Sequence, residues 1–213
     1  MGDDPVNLPA TVFTSLLVSA FVCESVPAQP HQATKYSYYA IQGDSPASIY
    51  ATMIKRGPRV GGVKAYAKTL AVSTPSVQIL QGKTCKLQSF SLNFNFDITL
   101  PKLQNENAIT GRTKTEWRNF ASFLKTHEET HRKIWLAYGT ALEAKVRNIK
   151  AGSCAELASR IIDLRQQMAA SCNREQEAFD AAQQHVLLQQ PFVKLVLSQA
   201  SVSTTALKVH KAK

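Results

Sequence analysis

The sequence lacks an apolar run long enough to cross a lipid bilayer as a helix. Residues 11–23 are apolar, and this stretch has the length of the apolar core of a signal peptide, with small residues at Val26-Pro27-Ala28 for cleavage. Asp3 and Asp4 precede it without any lysine or arginine, which is the wrong charge for a secretory leader, so a buried N-terminal helix is the alternative. We predict that residues 1–28 are a signal peptide and that the mature chain is secreted or periplasmic, without a transmembrane segment.

Acidic residues are also few, and no run of lysine and arginine is interleaved with aromatic residues. The chain has 15 acidic and 25 basic residues and a formal net charge of +10, which rises to +13 when a leader carrying Asp3, Asp4 and Glu24 is removed. A basic surface favours anionic partners, such as the anionic polymers of a cell envelope. The missing basic and aromatic run argues against nucleic-acid binding.

Internal repeats and low-complexity segments are absent, and 213 residues suit one domain with a substantial core. We predict a single domain over residues 29–190. Residues 191–213 are predicted to form a basic C-terminal tail, whose last part, LKVHKAK, has the composition of a disordered chain end.

Cysteine is scarce, with four residues in the whole chain. Cys23 lies in the predicted leader, so the mature chain keeps Cys85, Cys154 and Cys172, which in an oxidising compartment allows one disulfide and one free thiol. Cys172 falls among the apolar positions of a predicted helix, where a buried thiol is expected. We therefore predict a bridge between Cys85 and Cys154.

Short strands and one short helix are predicted in the first half of the chain. Residues 35–41 (KYSYYAI) have the composition of a strand, and the helix after it starts with Ser45 as N-cap and Pro46 in the first turn, ending at Gly57-Pro58. A further strand is expected between residues 60 and 79. The clearest strand covers residues 90–100, where apolar and polar residues alternate, so that one face is buried.

Two long helices are predicted in the second half. Thr113 with Glu116 forms a capping-box pattern that starts a helix ending near Lys150, and Ser153 with Glu156 starts a second one. Residues 171–173 (SCN) are a weak point at which the second helix could break. Together with the strands, these helices predict an α+β fold with a small sheet and two long helices.

The segment THEETHRKIW, residues 126–135, carries a candidate metal site on the first long helix. His127 and His131 are four residues apart, so both imidazoles lie on the inward face, about 6 Å apart at the backbone, which suits two ligands of a tetrahedral zinc ion. Glu128 lies about 100° around the helix, where it can act as a general base toward water without binding the metal. The alternative for each histidine alone is a core histidine bonded to a neighbour.

A third ligand must come from elsewhere in the chain. Besides His31 near the cleavage site and His210 in the tail, the remaining histidine is His185. A plain antiparallel hairpin of the two long helices would bring Glu175 closer to His131, whereas a break at residues 171–173 would let His185 approach. We favour His185 and keep Glu175 as the alternative.

Several segments together resemble a known family. They are residues 38–58, the strand end ITLPKL, Trp117 ten residues before the HEETH segment, and AFDAAQQH over residues 178–185. This combination resembles the predicted secreted zinc-dependent proteases catalogued as the domain of unknown function DUF922, over about residues 38–185.

In that family an aromatic-Asp pair is followed, five residues after the Asp, by a His and usually a Gly, and the pattern falls here on Phe179, Asp180 and His185. The resemblance implies that His185 is a metal ligand and that Asp180 is a supporting acid. Phe179 stands where Tyr is usual, Gln183 where Thr is usual and Val186 where Gly is usual.

We therefore expect a zincin-like domain in which Zn²⁺, held by His127, His131 and His185, and Glu128 as general base hydrolyse a peptide or protein substrate outside the cytoplasm. The first alternative is a non-catalytic, metal-containing envelope protein that binds anionic polymers. The second is a structural domain with core histidines. Metal content distinguishes the last from the other two.

Overall fold

The structure is a computed structural model that describes residues 30–82 and 85–199. The predicted signal peptide and residues 200–213 of the predicted tail lie outside the described residues. The helices and strands are β1 (Gln32–Ile41), α1 (Pro46–Arg56), β2 (Arg59–Val60), β3 (Val63–Lys64), β4 (Lys68–Leu80), β5 (Lys86–Leu103), α2 (Gly111–Arg147) and α3 (Cys154–Gln189). Residues 191–199 are also helical.

A small mixed sheet forms the β part of this α+β fold. Its strand order is β1-β5-β4, with β1 parallel and β4 antiparallel to β5, while β2 and β3 form a separate two-stranded hairpin. The alternation predicted for residues 90–100 is confirmed, because all six apolar residues at its even positions are buried. Strand β5 is central, and α2 packs across its apolar face.

The short helix follows the prediction, but the start of α2 does not. Ser45 caps α1 and Pro46 is its first residue. Helix α2 instead begins after Thr110, whose side chain makes no capping bond, so the predicted capping box of Thr113 with Glu116 is wrong and both residues lie inside the helix. Local pattern alone does not decide helix starts, since packing of the preceding chain also selects them.

Helix α3 is continuous, so the predicted break at residues 171–173 is wrong. Its N-terminus follows the prediction, with the Ser153 hydroxyl accepting from the Glu156 backbone N–H at 3.1 Å. Cys172 is 3% exposed in the apolar contact with α2. Burial there outweighs the low helix propensity of serine and asparagine, which costs only about 0.5 kcal/mol per residue.

Two apolar clusters form the core, and α2 contributes to both. The first contains residues of α1, the C-terminal half of β5 and the N-terminal half of α2, together with Phe192, Val193 and Val196. The second contains the N-terminal half of β5, the C-terminal half of α2 and the first half of α3. Because Phe192 is fully buried in the first cluster, the domain extends beyond residue 190, and the tail boundary predicted there is too early.

The disulfide prediction is confirmed. Cys85 and Cys154 are bridged, which ties the chain just before β5 to the first residue of α3. Within residues 30–82 and 85–199, Cys172 is the free cysteine, and it is buried as expected. No helix in this part of the chain has the length and hydropathy needed to cross a membrane.

Candidate metal centre

Helix α2 has a polar stretch between its two apolar contacts with the core. Leu124 belongs to the first cluster and Tyr138 to the second, and both are buried. Between them, the side chains of His127 and His131 are only 18% and 14% exposed. The helical repeat that buries Leu124 and Tyr138 therefore also turns the two imidazoles inward, as the sequence predicts.

Asp180 of α3 completes a group of three converging side chains. Its Oδ1 lies 3.2 Å from His127 Nε2 and 2.9 Å from His131 Nε2, and the two Nε2 atoms are 3.0 Å apart. Among the residues that the structure describes, one group of His, Cys, Asp or Glu side chains brings three ligand atoms close enough together to hold a metal ion, and it consists of these three residues. The three atoms form a nearly equilateral triangle.

The triangle has the size that a tetrahedral zinc ion requires. With zinc–ligand distances of about 2.0–2.1 Å, two ligand atoms of a tetrahedral site lie about 3.3 Å apart. The observed separations of 2.9 to 3.2 Å are only slightly shorter. Two imidazoles and one carboxylate are also a donor set that zinc accepts, with the fourth position left open.

Gln176 determines which nitrogen of His131 faces this triangle. Its Nε2 donates to the backbone carbonyl of His131 at 3.1 Å, and its Oε1 lies 2.5 Å from His131 Nδ1. The backbone carbonyl of His131 can only accept, so the NH₂ group of Gln176 must face it. The amide oxygen of Gln176 then faces His131 Nδ1 and can only accept there, so Nδ1 carries the hydrogen. The Nε2 lone pair of His131 therefore points toward Asp180 Oδ1, and a cation between these two acceptors would satisfy both.

The ring of Phe179 positions both imidazoles from the α3 side. It stacks on His127 with ring centroids 4.8 Å apart and meets the edge of His131 at 5.1 Å. Burial, and secondly the neighbouring His131, lower the pKa of His127 below its usual value, although Asp180 opposes this shift. A neutral imidazole is the form that binds metal.

Glu128 lies beside the triangle in a buried position. It is 4% exposed, and the Thr69 hydroxyl donates to its Oε2 at 2.8 Å while lying 3.0 Å from its backbone carbonyl oxygen. Burial raises the pKa of Glu128 to about 7, and the hydrogen bond from Thr69 acts in the opposite direction. The carboxylate is thus held by β4 close to the two histidines without being one of the three converging groups.

A cleft of about 600 Å³ opens over these residues. It is lined by His127, Glu128, His131 and Asp180, by residues of β4 that include Thr69, and by further residues of α2 and α3. Asp180 is at its exposed side, since 57% of its side chain is accessible, whereas the histidines are at its floor. The triangle can therefore be reached from solvent through the cleft.

His185 and Glu175 do not reach this group. Both are exposed on α3, and neither lines the cleft. On a continuous helix His185 is about 140° around from Asp180, so one of them faces away when the other faces α2. The structure brings Asp180 to the predicted pair in place of His185, because the break that would have repositioned His185 does not occur.

Sequence reasoning missed Gln176 and Thr69. Gln176 is one residue from Glu175, the alternative to His185 as third ligand, and nothing in its local pattern distinguishes it from an ordinary surface glutamine. Thr69 lies in the strand predicted only vaguely, and it approaches Glu128 across 59 residues of chain. Only its pairing with Ile98 in the sheet, under α2, places it there.

Comparison with known proteins gives one match. The family described as "Bacterial protein of unknown function (DUF922)" matches residues 36–186, which include every residue of the site. No curated protein and no solved structure matches the chain.

Proposed function

We propose that this chain, which belongs to the bacterial family of unknown function DUF922, binds one zinc ion through His127, His131 and Asp180 and hydrolyses peptide bonds. The observation that carries this proposal is the triangle of three ligand atoms beside the buried carboxylate of Glu128 at the floor of an open cleft. The arrangement of two long helices around this group is the basis for regarding the fold as zincin-like.

The roles of the protein side chains follow from their positions. Zinc supplies Lewis acidity, which lowers the pKa of water to about 7 and polarises a carbonyl group. Glu128 accepts the proton of the attacking water and returns it to the leaving amine. Thr69 holds the carboxylate of Glu128 in place, and Gln176 keeps the Nε2 lone pair of His131 directed at the metal position.

The border of the cleft supports a peptide as substrate. Strand β4 is an edge strand of the described sheet, and its first residues, Lys68 and Thr69, line the cleft. An edge strand has backbone groups free to pair with an extended chain. Pro75 in β4 has no N–H to offer, which limits such pairing to the half of the strand beside the cleft.

The disulfide supports a location outside the cytoplasm. Bridges such as that of Cys85 with Cys154 persist in secreted and periplasmic proteins, whereas cytosolic thiols are kept reduced. This agrees with the signal peptide that the sequence predicts for residues 1–28.

Metal analysis combined with two variants tests the proposal. Native mass spectrometry at neutral pH should find one zinc ion in the purified chain and in Glu128→Gln. Hydrolysis of an unfolded protein should fall in Glu128→Gln by about 10²–10⁴-fold, the usual contribution of a positioned base. His131→Ala should lose both zinc and activity, because two remaining ligands rarely hold zinc.

The possible results separate the functions under consideration. Absence of any metal after incubation with zinc would eliminate the metal site and leave a structural domain. A different bound metal, such as iron, would indicate instead the iron chemistry of other sites that are built from two histidines and one carboxylate. Bound zinc without hydrolysis of a broad peptide library would favour the non-catalytic role on anionic envelope polymers.

A further inference from the structure

The cleft is apolar at one end, and this end begins directly beside the triangle. Phe123 lies one turn before His127 on α2, and the two rings have centroids 6.4 Å apart. Leu124, also in the lining, is buried in the first apolar cluster, and Tyr66 meets the ring of Phe120 edge-on at 6.3 Å. Apolar side chains therefore lie on the side of His127 away from His131.

Helix α3 and the segment just before strand β4 continue this apolar end. Strand β4 and the residues before it run alongside α2, since Thr69 contacts Glu128 while Tyr66 contacts Phe120 two turns earlier. Leu187 is two turns beyond Asp180 on α3 and also lines the cleft, half-buried against the first cluster. Three parts of the chain thus contribute apolar side chains to one compartment next to the metal position.

The charges of the lining support the same conclusion. Among the described residues that line the cleft, the acidic ones are Asp180, which belongs to the triangle, and Glu128, the proposed general base. The described lining therefore offers no further carboxylate to pair with a basic substrate side chain. Lys68 also lines the cleft, but side chains alternate along a strand, so it leaves β4 on the face opposite Thr69.

We propose that this compartment, formed by Tyr66, Phe123, Leu124 and Leu187, receives a large apolar side chain, aromatic or branched, next to the bond to be cleaved. That a bond is cleaved beside this compartment rests on the proposed function. The compartment itself is a property of the protein and is measurable as peptide binding without any hydrolysis. Burial of one such side chain distinguishes it from a charged one by tenfold or more.

A binding experiment on the zinc-loaded Glu128→Gln protein tests this preference. The probes are two end-blocked alanine hexapeptides that differ at one central position, phenylalanine in one and aspartate in the other. Isothermal titration calorimetry should give at least tenfold tighter binding of the phenylalanine peptide. In parallel, mass spectrometry of peptides cut by the unaltered protein should place aromatic or branched residues next to the cleaved bond.

Two neighbouring leucines of α3 provide matched variants. Leu187→Asp, combined with Glu128→Gln, puts a charge into the compartment and should abolish the tenfold preference for phenylalanine. Leu188→Asp in the same background makes the same chemical change at a side chain that is 52% exposed and does not line the cleft, and it should leave the preference unchanged. Zinc content and melting temperature of both variants establish that they are folded and loaded.

The outcomes distinguish this inference from the proposed function. Equal binding of the two peptides, no binding of either, or equal effects of Leu187→Asp and Leu188→Asp would overturn the compartment. A clear preference for phenylalanine that only Leu187→Asp removes would support it, even if the unaltered protein cuts no peptide. In that last case the peptidase proposal fails while the apolar compartment stands.

Discussion

The two long helices contribute to the same site from different environments. Helix α2 lies between the sheet and α3, and its two histidines are at most 18% exposed. Helix α3 packs on α2, and its contribution, Asp180, is 57% exposed at the edge of the cleft. Buried groups on α2 thus meet an accessible carboxylate on α3.

A site built in this way can be both rigid and accessible. Contacts from Phe179, Gln176 and Thr69 hold the α2 groups in their orientations from outside the triangle. Such preorganisation reduces the ordering needed on binding. Among the residues that the structure describes, Asp180 forms ion-pair contacts with the two histidines alone, and 57% of its side chain is accessible, so we expect it to determine how tightly the metal is retained.

The largest expected effect tests whether α3 supplies a ligand through Asp180 or through His185. Asp180→Ala should lower zinc affinity by more than the roughly 10–100-fold that loss of a supporting partner causes, because it removes one of three ligands. His185→Ala should leave zinc affinity unchanged. Competition with a chromogenic chelator measures both values. Loss of zinc in His185→Ala with retention in Asp180→Ala would restore the ligand set first predicted from the sequence.

A smaller effect is expected from the α3 residue that supports α2. Gln176→Leu removes the acceptor for His131 Nδ1–H and should lower zinc affinity by roughly 10–100-fold without changing the stoichiometry. Gln184→Leu is the control, since Gln184 lines the cleft but forms no hydrogen bond with either histidine. Equal affinities for the two variants would show that Gln176 does not orient the ring.

The smallest effect on the metal is expected from the disulfide that anchors the start of α3. Replacing both Cys85 and Cys154 by serine should lower the free energy of unfolding by about 2–4 kcal/mol, because the unfolded chain is no longer cross-linked. Zinc stoichiometry should stay the same, since α3 remains packed on α2. Urea unfolding measures the loss, and reduction of the unaltered protein should reproduce it. A lost metal site would mean instead that the bridge positions Asp180.

Much of the fold follows from local pattern in the sequence. The buried face of β5, the cap of α1 at Ser45 and the inward face of α2 were all predicted from spacing, and the structure confirms them. The preference for a Cys85–Cys154 bridge depended only on where Cys172 falls in its helix. Each of these inferences uses residues that are close in sequence.

The inward face of α3 agrees with an apolar stripe in the sequence as far as Cys172 and again at Phe179. The same spacing also predicts Glu175, Ala182 and Val186 on this face, but all three are exposed. The side that faces the cleft and α2 carries Gln176, Asp180, Gln183 and Leu187 together with Phe179. Steps of three and of four residues both stay near one helix face, and apolar character is the usual way to choose between them. That criterion fails where a helix faces an open cleft that contains polar groups instead of a closed apolar core.

Spacing along the chain is enough to place His127, Glu128 and His131 in one region of a helix, because a separation of four residues is close to one helical turn. The arrival of Asp180 beside them depends instead on how α3 packs against α2. The choice among Glu175, Asp180 and His185 depends on the continuity of α3 and on its rotation about its own axis. Both are set by contacts such as those of Cys172 and Phe179 with α2, between residues far apart in the chain.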